Sequence, residues 1–357
     1  MILPFPHSFP EDATERAIPD VVRARALLAE KAPAFGLALA RRSETLARLA
    51  GPAEAGLIAR CNDAVSLAYA RLAHRHGSWG EDFHAYHNEH HILEIFDSRI
   101  ARLMNEVGAT ALSVHDWLLL GLFAACHDLR QRERADYCAG VGSNERASIE
   151  EGLRILTLCG FDPDNDDDFF IGLELMIAGS TFDARPASAL AWEYNSVDLL
   201  QSGGALASKL DAKLDKHAAG WRLSPAIAHA LDLATIAADL DTANVAEPFA
   251  QFVETGMRLC LEREMRCHRS VDDPGSALPV LGFLTDGQER FFFELHRFNS
   301  EAGRRTFSAA KAANAAPLLA LTMALRDRVE RFGQPGSGAQ VIAELRALTH
   351  RIAADAT

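Results

Sequence analysis

Trp117-Leu-Leu-Leu-Gly-Leu-Phe-Ala-Ala-Cys126 runs directly into His127-Asp128. A helix over this stretch has no polar stripe, so it must be covered on all sides by other elements. Its end is the opposite in character. An ionisable pair closing so apolar a helix is costly unless it meets a partner, and a dication is such a partner. His127 and Asp128 are adjacent and cannot share a face within a regular turn, but at a helix end both can point into one pocket.

Working outward, apolar residues recur at helical spacing over about 20–50, 54–76, 86–107, 113–128, 144–160, 169–179, 224–241, 247–268, 278–298, 301–331 (with a break expected) and 337–353. Alternating segments that signal strands are almost absent. The expected fold class is therefore all-α, a compact arrangement of roughly a dozen helices. Residues 1–18 read as an irregular arm, 129–143 as an exposed polar loop over the site, and 180–223 as the least regular part. The acidic run Asp162–Asp168 reads as a cap on the helix that follows, because negative charge complements the helix dipole there. Three regions are expected: a helical arm over 1–55, a core over 56–300, and C-terminal helices over 301–357 that pack on it.

The chain of 357 residues is long enough for a sizeable core. Its net charge of -13, with no basic stripe, argues against a duplex nucleic acid partner. A small anionic substrate stays open, since a bound dication reverses the local field. Cys61, Cys126, Cys138, Cys159, Cys260 and Cys267 form no CxxC pair and read as reduced thiols, with Cys260 and Cys267 sharing a helical face. The start of the chain lacks a basic n-region, and no segment has the apolar length of a membrane span, so a cytoplasmic location is expected.

The second chemically dense stretch is Tyr86-His-Asn-Glu-His-His91. His87 and His91 are four apart and share a helical face, whereas His90 is turned about 100° from His91 and reads as a rim residue, as does His84. A further ligand is expected from Ala237-Ala-Asp-Leu-Asp241, with Asp239 first because it follows the buried run from Leu231, and Asp241 as the fallback. Arg130 and Arg132 read either as phosphate contacts or as solvated loop residues. His217 and His229 read as structural or exposed.

The order of YHNEHH over 86–91, His127-Asp128 and a late Asp resembles the HD superfamily of metal-dependent phosphohydrolases. More narrowly, the YHNxxH pattern is similar to that of the class I cyclic nucleotide phosphodiesterases. The resemblance implies that His91, His127, Asp128 and Asp239 are metal ligands, that His87 is the general acid, and that Glu145 orients it. Gln288-Glu-Arg-Phe291 resembles the family's Q-x-x-F element, which implies that Gln288 binds a nucleotide base and Phe291 stacks on it. One departure is plain: the family pattern HDxxH has Gln131 in place of its second His.

Two His and two Asp suit one or two ions of Zn, Mn, Fe or Mg. The expected activity is metal-dependent hydrolysis of the phosphodiester of a cyclic or other nucleotide. The alternatives are a nucleotide phosphomonoesterase, a di-iron oxygenase drawing on His217 or His229, and a nucleotide sensor without turnover. The expected partners are a small nucleotide or phosphate ester, no membrane, and a possible second copy of the chain.

Overall fold

In the computed structural model, residues 1–134, 137–138, 140–183 and 204–355 are described. The fold is all-α. Among the described residues the strands are two short antiparallel pairs, β1 (Tyr137–Cys138) with β2 (Val141–Gly142) and β3 (Phe182–Asp183) with β4 (Gly204–Ala205). The chain forms two compact units. Among described residues the first holds 1–183, 204–241 and 299–306, and the second holds 242–298 and 307–355. These limits cut across the three regions expected from the sequence.

In the first unit, α1 (Ala13–Ala17), α2 (Val21–Lys31), α3 (Pro33–Ala50) and α4 (Ala55–Arg75) lead to α5 (Glu89–Leu93), which continues through a π-helical turn, Glu94–Arg99, into α6 (Ile100–Val107). The expected single helix over 20–50 is two helices. Pro33 cannot donate a helical hydrogen bond and starts α3 at its first position. α7 (Val114–Cys126) begins with a capping box, in which Ser113 accepts from the Asp116 N–H and Asp116 accepts from the Ser113 N–H. From Asp116 to Cys126 every residue of α7 is buried. Contacts from α3, α4, α8 (Ser143–Leu158), α9 (Asp167–Ser180) and α11 (Pro225–Asp241) cover it, as the lack of a polar stripe requires. The remaining helix, α10 (Leu210–His217), precedes α11.

A buried ionic network ties the N-terminal segment to α4 and α8. Arg71 meets Glu15 and Glu151 at 3.3 and 3.4 Å, Arg75 meets Asp12 and Glu151 at 2.7 and 2.9 Å, and Arg154 meets Glu15 at 2.7 Å. Glu151 is fully buried, and burial pushes its carboxyl above the usual range despite Arg75 and Arg71. The N–H groups of Ile2 and Leu3 donate to buried Glu174 at 2.6 and 2.9 Å, so the expected loose arm is anchored at its very start.

The acidic run behaves differently from a simple cap. Asp166 takes a bidentate ion pair from Arg60 at 2.8 and 2.9 Å, and Asp162 accepts from the Asp164 N–H, leaving Asp167 and Asp168 in the first turn of α9.

The second unit is built on α12 (Phe249–Arg266), α13 (Ala277–Gly282), the main part of α14 (Glu301–Phe332) and α15 (Gly338–Asp355). Its core joins Val253, Met257, Cys260, Val280, Leu321, Leu325, Val341 and Leu345. α14 is continuous through Pro317, where a break was expected. A proline inside a helix forfeits one hydrogen bond, about 3 kcal/mol, and the burial of Leu318, Leu321 and Leu325 just beyond it favours holding the helix together. Cys61, Cys126, Cys159, Cys260 and Cys267 are free thiols. No helix among the described residues is long and apolar enough to cross a membrane.

Candidate metal centre

The closing pair of α7 lands where α5 and the end of α11 meet it. His127 is the C-cap of α7, and its Nδ1 lies 3.2 Å from the Phe123 carbonyl and 3.3 Å from that of Ala124. A carbonyl only accepts, so Nδ1 carries the proton and Nε2 presents its lone pair to the interior. That Nε2 is 3.0 Å from Asp128 Oδ2 and 3.5 Å from Asp241 Oδ1. His91, on α5, places Nε2 3.1 Å from Asp241 Oδ1 and 3.7 Å from Asp128 Oδ2. Asn88 starts α5 by accepting from the His90 N–H at 2.9 Å, which sets the phase that turns His91 inward and leaves His90 exposed.

These separations suit a cation. Ligand atoms about 2.0–2.2 Å from a tetrahedral zinc lie roughly 3.3 Å from one another; His91, His127 and Asp128 each bring one ligand atom within 4.8 Å of the others, and Asp241 Oδ1 reaches the two imidazoles at 3.1 and 3.5 Å. The buried Nε2 of His127 and Oδ2 of Asp128 have no hydrogen-bond partner, because their approach is out of line for one. Buried polar atoms in that condition are costly and call for a cation or a proton between them. Burial alone would lower the His127 pKa, but Asp128 and Asp241 hold it well above the usual value. Burial likewise opposes ionisation of Asp241, yet His127 and His91 keep its carboxyl far below the usual range.

Asp239 does not join this group. Its carboxylate accepts from the N–H and Nδ2 of Asn299 at 2.6 and 3.2 Å, and from the N–H and Oγ of Ser300 at 2.8 and 2.6 Å. Two residues along a helix is a turn of about 200°, so Asp239 and Asp241 face opposite sides of α11 and only one can reach His91. The fallback, Asp241, is the one that does. Asp239 is fully buried, as its apolar neighbours predicted, but against the turn that starts α14. Burial pushes its pKa up to about 6 in spite of those hydrogen bonds. The approach is so close that a Cβ on Gly303 would lie 2.1 Å from Asp239 Oδ2.

No sequence pattern singles out Arg99. Fully buried, it donates to the terminal carbonyls of α11, Leu240 at 3.0 Å and Asp241 at 2.6 Å, and to Glu94 at 3.4 Å. A cation at a helix C-terminus satisfies its open carbonyls, and here it fixes the residue that carries the Asp241 carboxylate.

His87 is half-buried beside Tyr86 and His91, with ring centroids 4.8 and 6.3 Å away; burial opposes ionisation of Asp128, but the surrounding imidazoles, His127 before His87 and His91, hold its carboxyl below the usual value. Glu145 sits half-buried in the first turn of α8. Gln288 and Phe291 belong to the second unit, where Gln288 lies against Gly256 of α12 and Phe291 packs edge-on to His296.

Other expectations fall elsewhere. Within the expected exposed loop, Leu129, Arg130 and Gln131 are buried, whereas Arg132 and Arg134 are exposed. Arg130 pairs with Glu133 and Glu15, and the exposed Arg132 pairs with Asp82. His229 pairs with Asp116 at 2.6 Å, at the opposite end of α7 from His127, and the pair borders a cavity of about 420 Å³ floored by Leu119 and Leu233.

A second convergence, His76, Asp82 and His84, was not foreseen, with Asp82 Oδ2 at 3.2 and 3.3 Å from the two rings. Its chemistry is less suited to a cation. The Gln131 N–H donates to His76 Nε2 at 3.2 Å, which puts the ring proton on Nδ1, the atom facing Asp82. Arg132 already neutralises Asp82, and that hydrogen bond, more than any other influence, holds the carboxyl down to about 2. No family model, curated protein or solved structure matches the chain.

Proposed function

We propose that this protein is a metal-dependent phosphohydrolase that cleaves the phosphodiester of a cyclic or other small nucleotide. One observation carries the reading. His91, His127 and Asp128 bring ligand atoms within 4.8 Å of one another, Asp241 reaches both imidazoles, and the buried His127 Nε2 and Asp128 Oδ2 lack hydrogen-bond partners. Two imidazoles and two carboxylates suit Zn, Mn, Fe or Mg. The hydrolytic assignment rests on the likeness of the YHNEHH and His127-Asp128 motifs to the HD phosphohydrolases.

When bound, a dication supplies Lewis acidity towards phosphoryl oxygens and lowers the pKa of a water towards about 7. The chain supplies the rest. Asp128 and Asp241 bring two negative charges, and the α7 carbonyls hold His127 in the tautomer whose Nε2 is free to bind. His87, half-buried beside His91, is assigned to protonate the leaving oxygen. As the water oxygen forms its bond to phosphorus, the bond to the leaving sugar oxygen breaks and takes the His87 proton. Glu145 is assigned to orient His87.

The test is a hydrolysis screen of the manganese-loaded protein against cyclic nucleotides, nucleoside monophosphates and dinucleotides. Release of a nucleoside monophosphate from one of the diesters is expected. A fully metal-loaded protein that turns over none of these esters refutes the assignment.

A further inference from the structure

We infer that Gln131 and Asn144 form a directed amide relay that fixes how Asp128 meets its cation. The inference rests on the metal centre proposed above. The relay starts at a group whose polarity cannot change. The Glu133 N–H donates to Asn144 Oδ1 at 3.0 Å. That leaves Asn144 Nδ2 facing Gln131 Oε1, at 3.3 Å, and Gln131 Nε2 facing Asp128 Oδ1, at 2.8 Å. Each side-chain amide has one donor end and one acceptor end, so a single backbone N–H sets the direction of the whole chain. The last link delivers a donor to Asp128.

Burial makes this direction binding. Gln131 and Asn144 are 3% and 1% exposed, so neither can exchange its partner for water. The backbone of the segment is held as well. The Arg130 N–H donates to Ser148 Oγ at 3.1 Å and the Gln131 N–H to His76 Nε2 at 3.2 Å. Asn144 and Ser148, four apart on α8, thus grip residues 130–133 from one helical face.

The consequence concerns the two oxygens of Asp128. Oδ1 is engaged by the relay, whereas Oδ2 faces His127 and His91. The relay therefore keeps Oδ1 ionised and turned away, and presents Oδ2 as a single-oxygen ligand. Gln131 and Asn144 are positioning residues, since neither belongs to the ligand set.

The discriminating variant is Asn144→Asp, which keeps the shape of the side chain. The new carboxylate still accepts from the Glu133 N–H but offers no donor to Gln131, whose amide must turn over and aim its oxygen at Asp128. Manganese affinity is then expected to fall about 10- to 100-fold, the usual range for partners of metal ligands. A residue that only fills space predicts the opposite sign, because an added negative charge near a cation tightens binding. Gln131→Met, which removes the donor without adding charge, should weaken binding in the same range.

Calorimetric titration with Mn²⁺ reads the dissociation constant, and urea unfolding of the metal-free proteins shows what fraction is folded. Wild-type binding with an unchanged or tighter constant in Asn144→Asp, or an unchanged one in Gln131→Met, overturns the relay and leaves the metal centre standing. A folded wild-type protein that binds no Mn²⁺ overturns both.

Discussion

Asp239 and Asp241 are two residues apart on α11, and the structure gives them opposite work. Substituting each by alanine should separate stability from metal binding. Asp239→Ala strips the carboxylate from four donors, two of them backbone N–H groups and one the Ser300 hydroxyl on a residue only 8% exposed. Each buried donor left unpaired costs about 1–3 kcal/mol. The loss of the costly buried charge, whose pKa burial has raised to about 6, returns part of that. A net destabilisation of about 2–4 kcal/mol follows. Asp241→Ala removes a carboxylate that meets His91 and His127, the two imidazoles of the metal centre. Urea unfolding with and without Mn²⁺ is the assay. A ligand at 100 times its dissociation constant adds about 2.7 kcal/mol to stability. Asp239→Ala should start lower than wild type yet gain this increment, and Asp241→Ala should gain little of it whatever its starting stability. A metal increment lost in Asp239→Ala and kept in Asp241→Ala would refute the assignment of the two carboxylates.

Three further outcomes are expected. Replacing Arg71 by Met leaves Glu15 and Glu151 short of a buried partner, which typically costs about 3–5 kcal/mol, and a denaturation midpoint indistinguishable from wild type would contradict it. Burial pushes the Asp12 carboxyl upward, but Arg75 outweighs it and holds the folded value far below the usual one. That contribution is therefore complete above the unfolded pKa of about 3.9 and lost as pH falls below it, so the stability gap between wild type and Asp12→Asn, about 1–2 kcal/mol at neutral pH, should close below pH 4. His87→Ala should keep its metal while turnover drops about 10²- to 10⁴-fold; an unchanged rate removes His87 from the role of acid.

The sequence made some of this legible and hid the rest for physical reasons. The burial of α7 and the His127-Asp128 ending followed from one apolar run, because a helix without a polar stripe has only one stable environment. The same reasoning placed Asp239 indoors but could not supply its neighbours, since helical phase says that Asp239 and Asp241 diverge and not which of them meets His91. Composition misread residues 129–131 for a related reason. Arg130 and Gln131 are polar, but their partners Glu15, Ser148, His76 and Asn144 come from distant helices. Polar residues satisfied at long range look, in sequence, like an exposed loop. Gln131 could be seen only as a departure from HDxxH. Local rules also gave opposite errors at two prolines: Pro33 divides a pattern that reads as one helix, and Pro317 leaves whole one that reads as two.

The central claim is that His91, His127, Asp128 and Asp241 hold a divalent cation. Equilibrium dialysis of the purified chain and of Asp128→Ala against Zn²⁺ and Mn²⁺, followed by elemental analysis, tests it most directly. The account predicts at least one ion per wild-type chain and a loss of that ion in Asp128→Ala while the variant remains folded. Equal metal content in the two proteins, or none in either, contradicts it.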